Sequence, residues 1–308
     1  MLKNCVLFTL SANQELGKKV AAALGMELSP VSVKRFPSGE IIAESIETVR
    51  GKNVYIIQST CPPVNENLME LLIFVDSLKR SSAAEINVII PYFGYARQDR
   101  KAKPRQPISA RLVADLLKVS GVTRVVTVDL HAPQIQGFFS CLVDELATAP
   151  LYVATFLQDS HFNTKNLVTV SPDHGGVTRA RKIADGLNTP LAIIDKRRNS
   201  RLEPEVMNII GSVEGKDCLI VDDMIDTAGS ACAAADALIN AGAKSVKIIA
   251  THAVLSDPAF ERLSKSKFNQ IIVSDSIPLP ERFKELNCKV ISLAPMLAAS
   301  IKKIQLGE

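Results

Sequence analysis

Short β-branched apolar runs alternate with amphipathic stretches along nearly the whole of this 308-residue chain. The runs are "CVLFTL", "NVYIIQS", "INVIIPYFG", "RVVTVDL", "NLVTVSP", "LAIIDK", "DCLIVDD", "SVKIIATH", "NQIIVSD" and "KVISLAP". Between them apolar residues return at helical spacing over 14–24, 67–80, 108–119, 177–187, 231–241 and 296–304. A strand apolar on both faces must be covered on both faces, and parallel strands need a long crossover to connect them. The alternation therefore predicts an α/β chain of mostly parallel sheets flanked by helices. In such sheets ligands bind outside the carboxyl ends of the strands. The unusual polar segments of this sequence follow those ends.

The chain reads as two halves of similar plan. "NVYIIQS", a helix, "INVIIPYFG", a basic loop, a helix and "RVVTVDLHAP" form the first. "NLVTVSPDHGG", a helix, "LAIIDK", another basic loop and "DCLIVDDMIDTAGS" form the second. Two domains, 1–149 and 150–308, are expected, divided near Pro150. A hydrophobic fraction of 47% and a charged fraction of 22% supply packed cores and exclude disorder. A net charge of +4 is too mild to imply nucleic acid. No apolar run approaches the roughly 20 residues that span a bilayer, and the N-terminus lacks the apolar core of a secretory signal. Six cysteines without a C-x-x-C pair read as free thiols in a reducing compartment. A cytoplasmic location is expected, with no nucleic-acid or membrane partner.

The segment "VDDMIDTAGS" (221–230) puts Asp222, Asp223 and Asp226 at the end of an apolar strand and then opens a helix through Thr227, Ala228, Gly229 and Ser230. Paired carboxylates repel there unless something binds. Small residues and a helix N-terminus suit a phosphate monoester, with Gly229 expected to take any strained backbone. The carboxylates suit ribose hydroxyls or a divalent cation. The plainer alternative makes Asp226 or Thr227 an ordinary helix cap. This segment resembles the phosphoribosyl diphosphate (PRPP) loop shared by type I phosphoribosyltransferases and PRPP synthetases.

Other segments separate those two groups. "PYFGYARQDRKAKPRQPISARLVADLL" (91–117) gathers Arg97, Arg100, Lys101, Lys103 and Arg105 beside Gln98, a charge cluster able to neutralise a triphosphate. It resembles the nucleotide-binding signature of PRPP synthetases. "RVVTVDLHAPQIQGFF" (124–139) sets Asp129 and His131 two positions apart, on one side of the chain while it stays extended. The family has the same signature at its magnesium–ATP site. "SPDHGGVTRARKIADGL" (171–187) resembles the family's diphosphate loop, with Asp173 toward metal or ribose; His174 receives no role. "DKRRNSRLEPE" (195–205) resembles its catalytic loop, carrying Lys196 and Arg198. "VKRFPSGEIIAE" (33–44) resembles its adenine-recognition hairpin, with Phe36 against the base and Ser38 and Glu40 beside it. The chain departs from the usual pattern at Leu10, Pro37, Ser38, Ala228 and Ser230.

The resemblance spans essentially the whole chain and identifies a ribose-phosphate diphosphokinase of the phosphate-activated class. It implies two type I phosphoribosyltransferase-like domains, the first carrying most of the ATP site and the second the ribose 5-phosphate loop. It implies transfer of a diphosphoryl group from Mg-ATP to ribose 5-phosphate, giving PRPP and AMP for nucleotide biosynthesis. Lys196, Arg198 and His131 would be catalytic; Phe36, Ser38, Glu40, Arg97 and Gln98 would bind ATP. Asp222, Asp223 and 226–230 would hold the sugar phosphate, and Mg²⁺ would sit with His131, Asp173 and Asp129. A homohexamer built from dimers is implied. The alternatives are a non-catalytic regulatory subunit of such an enzyme and a phosphoribosyltransferase that consumes PRPP.

Overall fold

A computed structural model describes residues 4–160, 162–197 and 206–308. It divides into two compact units: Met1–Leu146 with Ser276–Pro278 and Ser292–Glu308, and Ala147–Asp275 with Leu279–Ile291. In the first, β1 (Cys5–Thr9) leads into α1 (Gln14–Leu24) and a hairpin of β2 (Val31–Arg35) and β3 (Ile41–Ser45). Then follow β4 (Asn53–Ile57), α2 (Val64–Arg80), β5 (Glu85–Ile90), α3 (Ser109–Ser120), β6 (Arg124–Val128) and β7 (Leu142–Leu146). Outside the hairpin the strands form one sheet, ordered β1-β4-β5-β6-β7 and parallel throughout.

The reason is visible in β4, "NVYII". Val54 and Ile56 face one side, Tyr55 and Ile57 the other, and all four are buried. Helix α2 covers one face with Leu68, Leu71, Phe74, Val75 and Leu78 at helical spacing. Burying each such side chain contributes roughly 1.5–3 kcal/mol. Phe74 also meets Phe8 edge to face, ring centroids 5.1 Å apart.

The second unit runs α4 (Ala149–Gln158), β8 (Leu167–Ser171), α5 (Val177–Leu187), β9 (Leu191–Arg197), β10 (Val206–Ile210) and β11 (Asp217–Ile225). It continues through α6 (Gly229–Asn240), β12 (Ser245–Ala253), α7 (Ala259–Ser264), β13 (Gln270–Ser274) and β14 (Cys288–Ile291). Its sheet is ordered β10-β9-β8-β11-β12-β13-β14. Only the edge strand β10 runs antiparallel to its neighbour. The last helix, α8 (Ala294–Leu306), belongs to the first unit. There Gln305 Oε1 accepts from the Tyr55 hydroxyl at 3.0 Å and from Asn53 Nδ2 at 3.3 Å.

Strand order sharpens the internal likeness. The sequence plan matches "NVYIIQS" with "NLVTVSP", which would pair β4 with β8. Sheet neighbours instead pair β1 with β8 and β4 with β11, because each first strand lies beside the strand that follows a two-strand excursion. The excursion is β2 and β3 in one unit and β9 and β10 in the other. From there β5, β6 and β7 answer to β12, β13 and β14. The repeat is one strand and one helix out of step with the sequence reading, since apolar runs resemble each other too closely to set the phase.

Gly94, just after β5, marks a close crossing. Its N–H donates to Thr60 Oγ1 at 2.7 Å, and a Cβ there would lie 2.5 Å from the Thr60 carbonyl oxygen. Gly94→Ala should destabilise the protein by about 1–3 kcal/mol, read as a lower denaturant midpoint. An unchanged midpoint would show that the Thr60 segment yields freely.

Candidate active site

In the second unit the chain leaves β8 on one side to make β9 and returns on the other as β11. The carboxyl ends of β8 and β11 therefore flank a topological switch point, where open parallel sheets offer a crevice. Two segments fill it: 172–176 after β8, and the acidic end of β11 running into α6.

Asp223 is 4% exposed and Asp222 is half-buried. The Asp223 N–H donates to Asp222 Oδ1 at 2.9 Å, so the two carboxylates stay close. Burial, and then the charge of Asp223, push the Asp222 carboxyl up to about 8. Arg179 of α5 brings a cation to them, its Nη1 3.6 Å from Asp223 Oδ1. Sequence reading missed Arg179; its place two residues into the helix after the glycine pair is the only signal it left.

The start of α6 differs from both expectations. Neither Asp226 nor Thr227 caps it: the N-cap is Ala228, with no side-chain cap hydrogen bond. The left-handed backbone falls on Ala228 (φ 60°) and not on Gly229. Gly229 matters for room, because a Cβ there would stand 3.1 Å from Arg262 Nη1. The helix thus begins without a side-chain cap on its first amides, a setting that suits an anion. Thr227 and Ser230 are exposed beside it.

After β8, Asp173 folds back so that its Oδ1 accepts from the Gly176 N–H at 2.9 Å. His174, given no role by the sequence, has Nε2 2.9 Å from Asp195 Oδ1 and so ties this loop to β9. Lys196 follows in β9, its backbone opposite Met207 of β10. Arg198, and with it the catalytic loop expected over 195–205 from residue 198 onward, lies outside the described residues.

In the first unit the segments after β5 and β6 are joined: Gln134 Nε2 donates to Asp99 Oδ2 at 2.6 Å. Arg97 and Gln98 sit exposed just before Asp99. Gln98 is anchored to the start of α3, accepting from the Ser109 hydroxyl through Oε1 and from the Ala110 N–H through its carbonyl at 3.2 Å. Asp129 and His131 do not share the extended geometry expected of them. The strand stops at Val128, and Asp129 turns the chain with φ 38°. Asp tolerates that region better than most residues, and non-glycine residues held there cluster at functional sites. His131 is exposed beyond the turn. Asp129 and His131 belong to the first unit and Asp173 to the second.

Phe36, Ser38 and Glu40 do come together, at the tip between β2 and β3. The Phe36 N–H donates to the Glu40 carbonyl at 2.9 Å, and Ser38 Oγ donates to Glu40 Oε2 at 2.7 Å. Phe36 leaves half its surface open. The tip borders a groove of about 410 Å³ shared with α2 through Asn65, Glu66 and Met69. Arg35 holds it there by pairing with Glu66 at 2.9 Å and facing the fully buried Glu70 at 3.7 Å. Neither Arg35 nor Glu70 stood out in the sequence, where an acid within a helix reads as surface.

Among the described residues no three His, Cys, Asp or Glu side chains gather as a metal cluster. All six cysteines are free, and burial pushes the Cys61 and Cys218 thiols up to about 11. Among the described residues no helix is long and apolar enough to cross a membrane.

Known proteins resemble the chain over nearly its full length. The family profile described as the N-terminal domain of ribose phosphate pyrophosphokinase matches residues 5–121. The phosphoribosyl transferase domain profile matches 143–281. A ribose-phosphate pyrophosphokinase from Fusobacterium nucleatum is 54% identical over 98% of this chain and 95% of its own. One from Bacillus subtilis is 52% identical over 98% and 94%. The crystal structure of phosphoribosylpyrophosphate synthetase from Mycobacterium smegmatis superposes with a TM-score of 0.93 at 43% identity, covering 99% of this chain and 100% of that one.

The Asp222 carboxyl makes stability depend on pH in a definite sense. Folding favours its protonated form, so ligand-free stability is lost as pH rises from near 3.8 through about 8. Asp222→Asn should therefore raise the melting temperature more at about pH 8.5 than at about pH 5.5. Thermal melts giving a larger gain at the acid end would contradict the assignment.

Proposed function

The chain belongs to the ribose-phosphate pyrophosphokinase family, and on that footing we propose that it transfers the diphosphoryl group of Mg-ATP to the anomeric hydroxyl of ribose 5-phosphate. The products are PRPP and AMP. One observation carries the reading: a buried carboxylate pair at a sheet's switch point, leading into a helix whose first amides have no side-chain cap. Hydroxyl groups donating to Asp222 and Asp223 relieve that pair, and the amides of 226–230 receive the 5-phosphate.

The nucleotide falls to the first unit's residues. Phe36 offers an open ring face to the base, with Ser38 and Glu40 for its polar edge. Arg97 and Gln98 attend the polyphosphate. Lys196 and Arg198 neutralise the group in transit. The anomeric oxygen bonds to the β-phosphorus as the bond from that phosphorus to the α,β-bridging oxygen breaks, AMP departs, and the hydroxyl proton passes to solvent. Positioning and charge neutralisation supply most of the acceleration.

Magnesium fits the donors present. It keeps several waters and takes phosphate oxygens, so it needs one or two protein ligands and no dense cluster. Asp129, His131 and Asp173 are the residues from which those one or two ligands would come. Bound with ATP it supplies charge neutralisation to the polyphosphate. We place the enzyme in the cytoplasm as a homohexamer built from dimers. Exposed Leu112, Leu116 and Val119, along one side of α3, support burial against another copy.

AMP release measured with and without ribose 5-phosphate tests the reading. Release should require the sugar phosphate, and Lys196→Ala should lower it about 100-fold or more with the fold intact. AMP formation independent of ribose 5-phosphate would contradict it. The same assay with GTP or CTP reports whether the hairpin tip, with Ser38 bonded to Glu40, selects adenine.

A further inference from the structure

Helix α7 carries Arg262, whose Nη1 donates to the Thr227 carbonyl oxygen at 2.9 Å. That nitrogen also lies beside Gly229, where a Cβ would stand 3.1 Å from it and the guanidinium would have to shift by a few tenths of an ångström. Among the described residues the Thr227 carbonyl is the only hydrogen-bonding partner of the Arg262 guanidinium. A full positive charge therefore stands at the start of α6, with no carboxylate among the described residues within ion-pair distance of it.

The bond has a consequence for the backbone. A trans peptide sends its C=O and N–H to opposite sides. Holding the Thr227 oxygen toward Arg262 turns the Ala228 N–H away from it. Ala228 then takes φ 60° and ψ 2°, which alanine holds less readily than glycine. The tether supports that turn at its flanking peptide.

We propose that Arg262 is a positioning residue for ribose 5-phosphate: it pins the Thr227–Ala228 peptide so that the loop amides face the 5-phosphate, and its positive charge favours the dianion. This rests on the reading of 226–230 as the phosphate cradle. Arg262 lies outside the loop motif, some thirty residues beyond it in sequence, and is brought there by the short helix that follows β12.

Steady-state kinetics on the full-length protein test it, with Arg262→Ala, Arg262→Gln, Arg262→Lys and Ser230→Asp compared. Gln keeps a donor for the carbonyl without the charge; Lys keeps the charge without the planar fork. Arg262→Ala should raise KM for ribose 5-phosphate about tenfold or more, while KM for ATP, kcat and the melting temperature stay within about twofold or a few degrees. Gln and Lys should each recover part of the loss. Ser230→Asp, which sets a negative charge in the cradle, should also raise KM for ribose 5-phosphate. If Ser230→Asp does so and Arg262→Ala does not, the cradle stands and the role of Arg262 is overturned. If neither changes that KM, the cradle reading itself fails. A parallel loss in both KM values and kcat would mark Arg262 as merely structural and overturn the proposal.

Discussion

Parallel strand pairing constrains everything else in this protein. Each parallel connection must cross over the sheet, so every strand in β8, β11, β12 and β13 ends at the same edge and its amphipathic crossover covers a face. The strand interiors are consequently apolar on both sides, as Ile220 and Val221 are. Polar chemistry is displaced to the carboxyl ends. Where β8 and β11 diverge, the crevice receives two carboxylates, and burial beside Asp223 pushes that of Asp222 toward protonation. That arrangement is unfavourable for an empty site and favourable for one that binds hydroxyl groups and a phosphate.

The repeat shows how one plan yields two kinds of strand end. In the first unit the segments after β1 and β4 correspond to those after β8 and β11. There the chain satisfies its own amides. The Ser11 N–H donates to Glu70 Oε1 at 2.8 Å, the Ala12 N–H to Gln58 Oε1 at 3.1 Å, and Asn13 Oδ1 caps α1 through Leu16. Glu70 is a carboxylate from within the fold occupying a role that, in the reading proposed for the second unit, falls to the 5-phosphate. A buried carboxylate holding a backbone donor is expensive to disturb, and it already fills this corner of the first unit. Its open chemistry lies instead after β5 and β6 and on the hairpin.

Much of this was legible in the chain before any coordinates. Apolar runs such as "NLVTVSP" and "DCLIVDD" became buried central strands, because nothing competes with that pattern over five or more residues. Two of the four edge strands of the two larger sheets, β7 and β10, were not legible, whereas β1 and β14 were. β7, "LVDEL", carries Asp144, which pairs with Arg124 at 2.5 Å, and its half-exposed pattern reads as loop. β10 pairs on one side only. The loop motif at 221–230 was visible as chemistry, yet its backbone was not: the left-handed residue is Ala228, while Gly229 lies against the Arg262 guanidinium. Arg179, Arg35 and Glu70 act through tertiary contacts at long sequence separation, and single-sequence patterns carry no record of such contacts.

The central claim is that this site moves an intact diphosphoryl group onto the sugar's anomeric oxygen. Ribose 5-phosphate labelled with ¹⁸O at that oxygen, incubated with Mg-ATP for a time short against exchange with water, tests it most directly. Mass spectrometry of the products should find the label in PRPP, at the bridge between carbon and β-phosphorus, and none in AMP. Label in AMP, or its loss from the sugar product, would place bond cleavage elsewhere and contradict the account.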